Sequence, residues 1–136
     1  MFTYEKAAAY IEEIPKFTTK NKLEHTRKCL DMLGSPDKNR KIIHVAGTNG
    51  KGSTIAYLST ILQEAGYKVG KYISPTIYSY RERMSIGEKK ISKEAFARHL
   101  TKVAAVAEEM AAQGRPHPTP FEIETAVAFL FFREPG

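Results

Sequence analysis

A single cysteine, Cys29, stands in 136 residues. An intrachain disulfide and a cysteine-rich metal site are thereby excluded, and a reducing compartment fits. No apolar run reaches the ~18 residues that a membrane-spanning helix needs. The N-terminus, Met1-Phe2-Thr3-Tyr4-Glu5-Lys6, lacks the basic and apolar regions of a signal peptide, so a cytoplasmic location is expected, with no membrane partner. A gathered basic stripe is missing too. Lys and Arg total 21 against 15 Asp and Glu, a net charge of +6, but they are spread along the chain. That balance suits an anionic partner without choosing among nucleotide, acidic metabolite and nucleic acid, and no nucleic-acid signature accompanies it. The composition, 42% hydrophobic and 26% charged, is that of a globular chain of about one domain.

What the chain does have is a glycine-rich loop between an apolar run and an amphipathic helix. Residues 42 to 54 read Ile-Ile-His-Val-Ala-Gly-Thr-Asn-Gly-Lys-Gly-Ser-Thr. The β-branched run predicts a buried strand, in which His44 is a packed side chain. Gly47, Gly50 and Gly52 allow successive N–H groups to converge on phosphate oxygens, with Thr48 and Asn49 between them. Lys51 adds a point charge. Ser53 or Thr54 offers a hydroxyl to a phosphate-bridging Mg²⁺, and the following helix aims its positive end at the same place. The spelling departs from the usual phosphate-loop pattern, because Val45 replaces its first glycine and Gly52 separates the lysine from the hydroxyls.

Around this loop the pattern predicts an α/β fold: a P-loop-type parallel sheet with flanking helices, incomplete within these residues. Thr3 caps a first helix with Ala7, Ala8, Ile11 and Ile14, ended by Pro15. Asn21 and Glu24 open a second, with Leu23, Thr26, Leu30 and Leu33 on one face, stopped by Gly34 and Pro36. Residues 1–36 then form a helical cover, in which His25 is a surface residue. Residues 42–73 form a right-handed β–loop–α–β unit: Ile55, Leu58, Ile61, Leu62 and Ala65 face inward, Gly66 caps the helix, and Tyr67 to Ile73 return as a parallel strand. Ser74 lies at that strand's carboxyl end, where open parallel sheets bind ligands. Residues 74–91 read as a substrate loop rich in Tyr78, Tyr80, Arg81, Glu82 and Arg83, ending in a small hairpin about Gly87. Residues 92–134 form two more helices. Ser92 caps the first, whose stripe is Phe96, Leu100, Val103, Ala107 and Met110, with His99 outside it. A capping box of Thr119 and Glu122 with Pro120 opens the second, which buries Ile123, Val127, Leu130 and Phe131. Two strands make a poor core, so the expectation is that the chain is the N-terminal part of a longer protein or is completed by other elements.

Four segments in order, His44 to Thr54, Tyr72-Ile73-Ser74-Pro75, Tyr78 to Arg83 and Thr119-Pro120-Phe121-Glu122, resemble the folylpolyglutamate synthase/dihydrofolate synthase family. This family belongs to the Mur-ligase-like superfamily, and Gly52 is part of its own loop pattern. The resemblance implies an ATP- and Mg²⁺-dependent ligase that adds L-glutamate to folylpolyglutamate or dihydropteroate through an acyl phosphate. It implies ATP contacts from Gly47 to Thr54 with Lys51 catalytic, and metal contacts from Ser53 and Ser74. Folate contacts are implied for Tyr80, Arg81, Arg83, Thr119, Pro120, Phe121 and Glu122, and for the segment from Lys22 to Glu24. Thr76 stands where the family usually carries histidine, and further metal and glutamate ligands belong to a C-terminal part beyond residue 136, so this stretch alone is expected to be inactive. Two alternatives stay open: a peptidoglycan-precursor ligase of the same superfamily, whose hydroxyls follow the lysine directly, and a non-catalytic ATP-binding module.

Overall fold

A computed structural model describes residues 1–14, 23–45, 51–73 and 80–134; of residues 51, 52, 80 and 82 it describes the backbone only. The described residues form two units: residues 1–38 with 92–134, and residues 39–91.

The first unit is helical: α1 (Tyr4–Glu13), α2 (Leu23–Met32), α4 (Lys93–Ala112) and α5 (Pro120–Arg133). Local chemistry sets its boundaries. The hydroxyls of Thr3, Ser92 and Thr119 accept from the backbone N–H groups of Lys6, Ala95 and Glu122, and each cap residue is extended. Each cap satisfies a donor that the first helical turn leaves without an intrahelical acceptor. The stripe on α4 is buried as its period requires, with Phe96, Leu100, Val103 and Ala107 fully enclosed and Met110 nearly so. It packs on α5, where Ile123, Val127 and Leu130 are buried, in the most extensive helix pairing among the described residues. His99 departs from expectation: it is 4% exposed, and its Nε2 lies 2.6 Å from Glu134 Oε1 at the C-cap of α5. A hydrogen-bonding carboxylate at the neighbouring helix end explains a burial that the spacing of apolar residues could not signal. His25 is also largely covered, its side chain 18% exposed.

The second unit carries α3 (Lys51–Glu64), β1 (Gly70–Tyr72), a 3-10 turn (Tyr80–Arg83), β2 (Met84–Ile86) and β3 (Lys89–Lys90). The strands form one antiparallel sheet in the order β1-β2-β3. The hairpin about Gly87 is therefore present, and Gly87 takes the positive φ of +60° that its turn requires. Helices and a small sheet together give a mixed α/β fold, but no parallel ladder occurs among the described residues. Residues 42–45 enter no strand, Ile42 and Ile43 are 61% and 62% exposed, and His44 is exposed rather than packed. The returning strand shortens to Gly70–Tyr72 and pairs with β2. A strand is stabilised by its neighbour's hydrogen bonds, and here the only described neighbour comes from the hairpin.

Candidate phosphate-loop and acceptor sites

The helix after the glycine-rich loop starts at Lys51. Its first turn is Lys51, Gly52, Ser53 and Thr54, so four backbone N–H groups without intrahelical acceptors, and the positive dipole end, fall directly after residue 50. Such an end favours an anion. The side chains of Ser53 and Thr54 are exposed. Gly47, Thr48, Asn49, Gly50 and Ser74 lie outside the described residues, as do Lys22, Thr76 and Tyr78, and nothing is described of the Lys51 and Tyr80 side chains.

Further along α3 the only buried residue is Ser59, whose hydroxyl donates to Ile55 O at 2.8 Å. Ile61, expected to face inward, is 62% exposed. A cleft of about 350 Å³ opens between residues 41–45, α3 and residues 67–72, lined by Ile43, Val45, Ile55, Leu58, Leu62 and Tyr72. Lys41, Lys68 and Lys71 join these side chains in its lining, so the cleft combines an apolar wall with positive charge.

Arg81 and Arg83 sit in the 3-10 turn before β2. Arg81 Nε donates to Ile91 O at 2.8 Å, and Arg83 O accepts from Ile73 N at 2.8 Å. The turn is thus tied to the ends of β1 and β3, and both arginines are half-buried.

Thr119, Pro120, Phe121 and Glu122 belong to the helical unit, at the start of α5. Both oxygens of Glu122 are engaged: Oε1 accepts from Thr119 N at 3.1 Å, and Oε2 accepts from Thr26 Oγ1 of α2. Beside them, burial and then the Glu122 charge push the Cys29 thiol up to about 11, which leaves it an inert thiol. Phe121 is 57% exposed, a ring presented to solvent next to a fully engaged carboxylate. The capping box was legible from the sequence; the tie to Thr26, which depends on how α2 lies against α5, was not.

Two clusters escaped the sequence reading altogether. Arg98 and His99 both meet Glu134 Oε1. Burial alone would raise the Glu134 carboxyl, but hydrogen bonds from Arg98 and His99 together hold it below its ordinary value. Burial lowers His99 and outweighs the attraction of Glu134. Tyr10 donates to Glu108 at 2.9 Å and lies 2.8 Å from His117 Nε2. Burial, and then Glu108, raises the Tyr10 phenol. Among the described residues no group of three or more His, Cys, Asp and Glu side chains is placed to hold a metal ion.

No protein-family model matches the chain. A curated relative, the dihydrofolate synthase/folylpolyglutamate synthase of Bacillus subtilis strain 168, is 42% identical over 135 residues, 98% of this chain and 31% of that protein. A folylpolyglutamate synthase solved as a complex with AMPPCP and folate superposes with a TM-score of 0.87 at 33% identity, over 97% of this chain and 32% of that one. A bifunctional folylpolyglutamate synthase/dihydrofolate synthase with Mn, AMPPNP and L-glutamate bound gives 0.82 at 29% identity, over 98% of this chain and 31% of that one. The chain spans less than a third of the length of the curated relatives it matches. On agreement in sequence over 98% of the chain and in backbone over 97% of it, the chain belongs to the folylpolyglutamate synthase/dihydrofolate synthase family.

Proposed function

We propose that the chain is the phosphate-binding portion of an ATP-dependent ligase that joins L-glutamate to folylpolyglutamate or dihydropteroate. The observation that carries this reading is the opening of α3 at Lys51, directly after Gly47-Thr48-Asn49-Gly50, in a chain alike over nearly its whole length to such enzymes. Its small-molecule partners are then ATP, the folate or dihydropteroate acceptor, and glutamate. Relatives were solved with AMPPCP, with folate, and with Mn and L-glutamate, which supports each of these.

The reaction asks for charge stabilisation. An acceptor carboxylate oxygen attacks the γ-phosphorus of ATP and ADP leaves. The glutamate amine then attacks the acyl phosphate carbon, losing a proton as phosphate departs. Negative charge spreads over the transferred phosphoryl oxygens in the first step. Here the residues' roles follow from their chemistry. The loop from Gly47 to Thr54 offers N–H groups, the α3 dipole favours the anion, and Lys51 supplies a positive charge. The exposed Ser53 hydroxyl at the first turn of α3 fits a hard cation, with Ser74 as a second oxygen donor, and Mg²⁺ held there would neutralise phosphate charge. Acceptor contacts fall to Tyr80, Arg81, Arg83 and to Thr119 through Glu122, where Phe121 offers a ring for stacking. Because the chain spans less than a third of its relatives, the proposal assigns it phosphate binding and part of the acceptor site, in the cytoplasm, and leaves the glutamate site to further residues of the same protein.

The test is incorporation of labelled glutamate with ATP and Mg²⁺ by the gene's full-length product, offered dihydropteroate or tetrahydrofolate. Turnover with at least one acceptor is expected, and none from residues 1–136 alone. No product with either acceptor would sink the proposal.

A further inference from the structure

The positive charge of the protein is not shared between its two units. Residues 39–91 hold nine Lys and Arg against three Asp and Glu, while the remainder holds twelve against twelve, so the net +6 lies wholly in the smaller unit. The basic residues are dispersed along the sequence; the acids that would balance them are not.

Two of the nine stand in one row across the sheet. Lys71 on β1 is the partner of Ser85 on β2, and Ser85 is the partner of Lys90 on β3. Residues directly opposite in antiparallel strands share a face, so ammonium, hydroxyl and ammonium line up on one side, about 10 Å apart end to end at strand spacing. The next position on β2, Met84, is on the other face and fully buried. Lys90 is exposed and Lys71 half-exposed, and neither ammonium has an ion-pair or hydrogen-bond partner among the described residues. Lys89, beside Lys90 but on the opposite face, is exposed as well. Glu88 in the β2–β3 turn is the nearest acid in sequence.

We propose that this row is a docking face for a chain of repeated carboxylates, the γ-linked glutamyl tail of the acceptor. The proposal rests on the ligase reading above. Two separate monocations, on different strands with a hydroxyl donor between them, complement a series of single carboxylates. A compact triphosphate is served instead by the start of α3. Each ammonium takes one carboxylate, Ser85 donates to one of them, and the surplus charge of the unit draws the tail in.

Fluorescence anisotropy of a labelled γ-linked pentaglutamate, at low salt, tests the row in this chain. The Lys71→Gln/Lys90→Gln variant should bind about tenfold more weakly, the scale of two exposed ion pairs. Lys89→Gln, with the charge change of Lys90→Gln but on the other face, should bind as the wild type does, and raised salt should erase the difference. ATP affinity should be the same in all of these. No binding by the wild type, equal losses from Lys89→Gln and Lys90→Gln, or an oligonucleotide of equal charge that binds as tightly and loses as much, would each overturn the row. Absence of glutamate ligation by the full-length product, with tail binding and its face dependence intact, would count against the reaction and not against the row.

Discussion

The contact between His99 and Glu134 makes one side chain report on the stability of a helix pair. His99 has its pKa lowered by burial, and Glu134 has its pKa lowered because hydrogen bonds from Arg98 and His99 outweigh burial. Below the ordinary histidine value of 6.5 the unfolded chain takes up a proton that folded His99 resists, so stability is lost as the pH falls from there. Below the ordinary glutamate value of 4.5 the same sign applies to Glu134: its contribution is present above that pH and disappears as the carboxyl is protonated in the fold. Thermal melts should therefore fall in two stages on acidification. In His99→Gln the upper stage should vanish while the lower one remains. A wild-type Tm flat between pH 7 and pH 5 would remove the proposed role of His99. Sequence spacing left His99 off the core stripe because periodicity counts apolar residues, and only Glu134, 35 residues on, makes its burial tolerable.

At the scale of the element, helix ends were the most legible features. Three helices stop in the same way, with the residue after a glycine donating its N–H five residues back: Ser35 to Leu30, Tyr67 to Leu62 and Arg115 to Met110. In each the glycine, Gly34, Gly66 or Gly114, has positive φ. Glycine and capping patterns act within a few residues and are visible in a sequence; strand pairing acts between distant segments and is not. That is why Ser92, Thr119 and Gly66 lie where they were placed, while residues 42–45 and 67–73 do not form the expected pair. The glycines also separate two energetic effects. At Gly66, with φ +95°, an added Cβ meets nothing within 4 Å, so Gly66→Ala should cost only the backbone penalty of about 1–2 kcal/mol. At Gly34, with φ +88°, the Cβ would sit 3.2 Å from Arg133 Nη1, which itself donates to Gly34 O. Gly34→Ala should cost more in urea unfolding, and Gly34→Ala combined with Arg133→Ala should return to the Gly66→Ala value. Equal costs at the two sites would show that Arg133 yields freely.

Across the whole molecule the apolar surface is divided as unevenly as the charge. In the helical unit α4 and α5 carry at least seven buried residues each, whereas among its described side chains α3 buries only Ser59 and leaves Tyr57 and Ile61 exposed at 73% and 62%. Burial of an amphipathic face, more than helix propensity, is what holds most helices in proteins, so α3 is the helix whose stability depends on whatever covers that face. Its pattern was legible in the sequence as an inward stripe; among the described residues Ile55, Leu58 and Leu62 of that stripe are half-buried and Ile61 is exposed, because their cover depends on segments distant in sequence. The consequence is measurable by hydrogen exchange. In residues 1–136 alone, α3 amides should exchange within the fast class typical of weakly packed elements, while those of α4 and α5 approach the protection set by global unfolding. In the full-length product α3 should move into the slow class and α4 should change little. Equal protection of α3 in both proteins would mean that the first turn from Lys51 to Thr54 is held without a covered face, and that the phosphate site needs only the residues of this chain to be ordered.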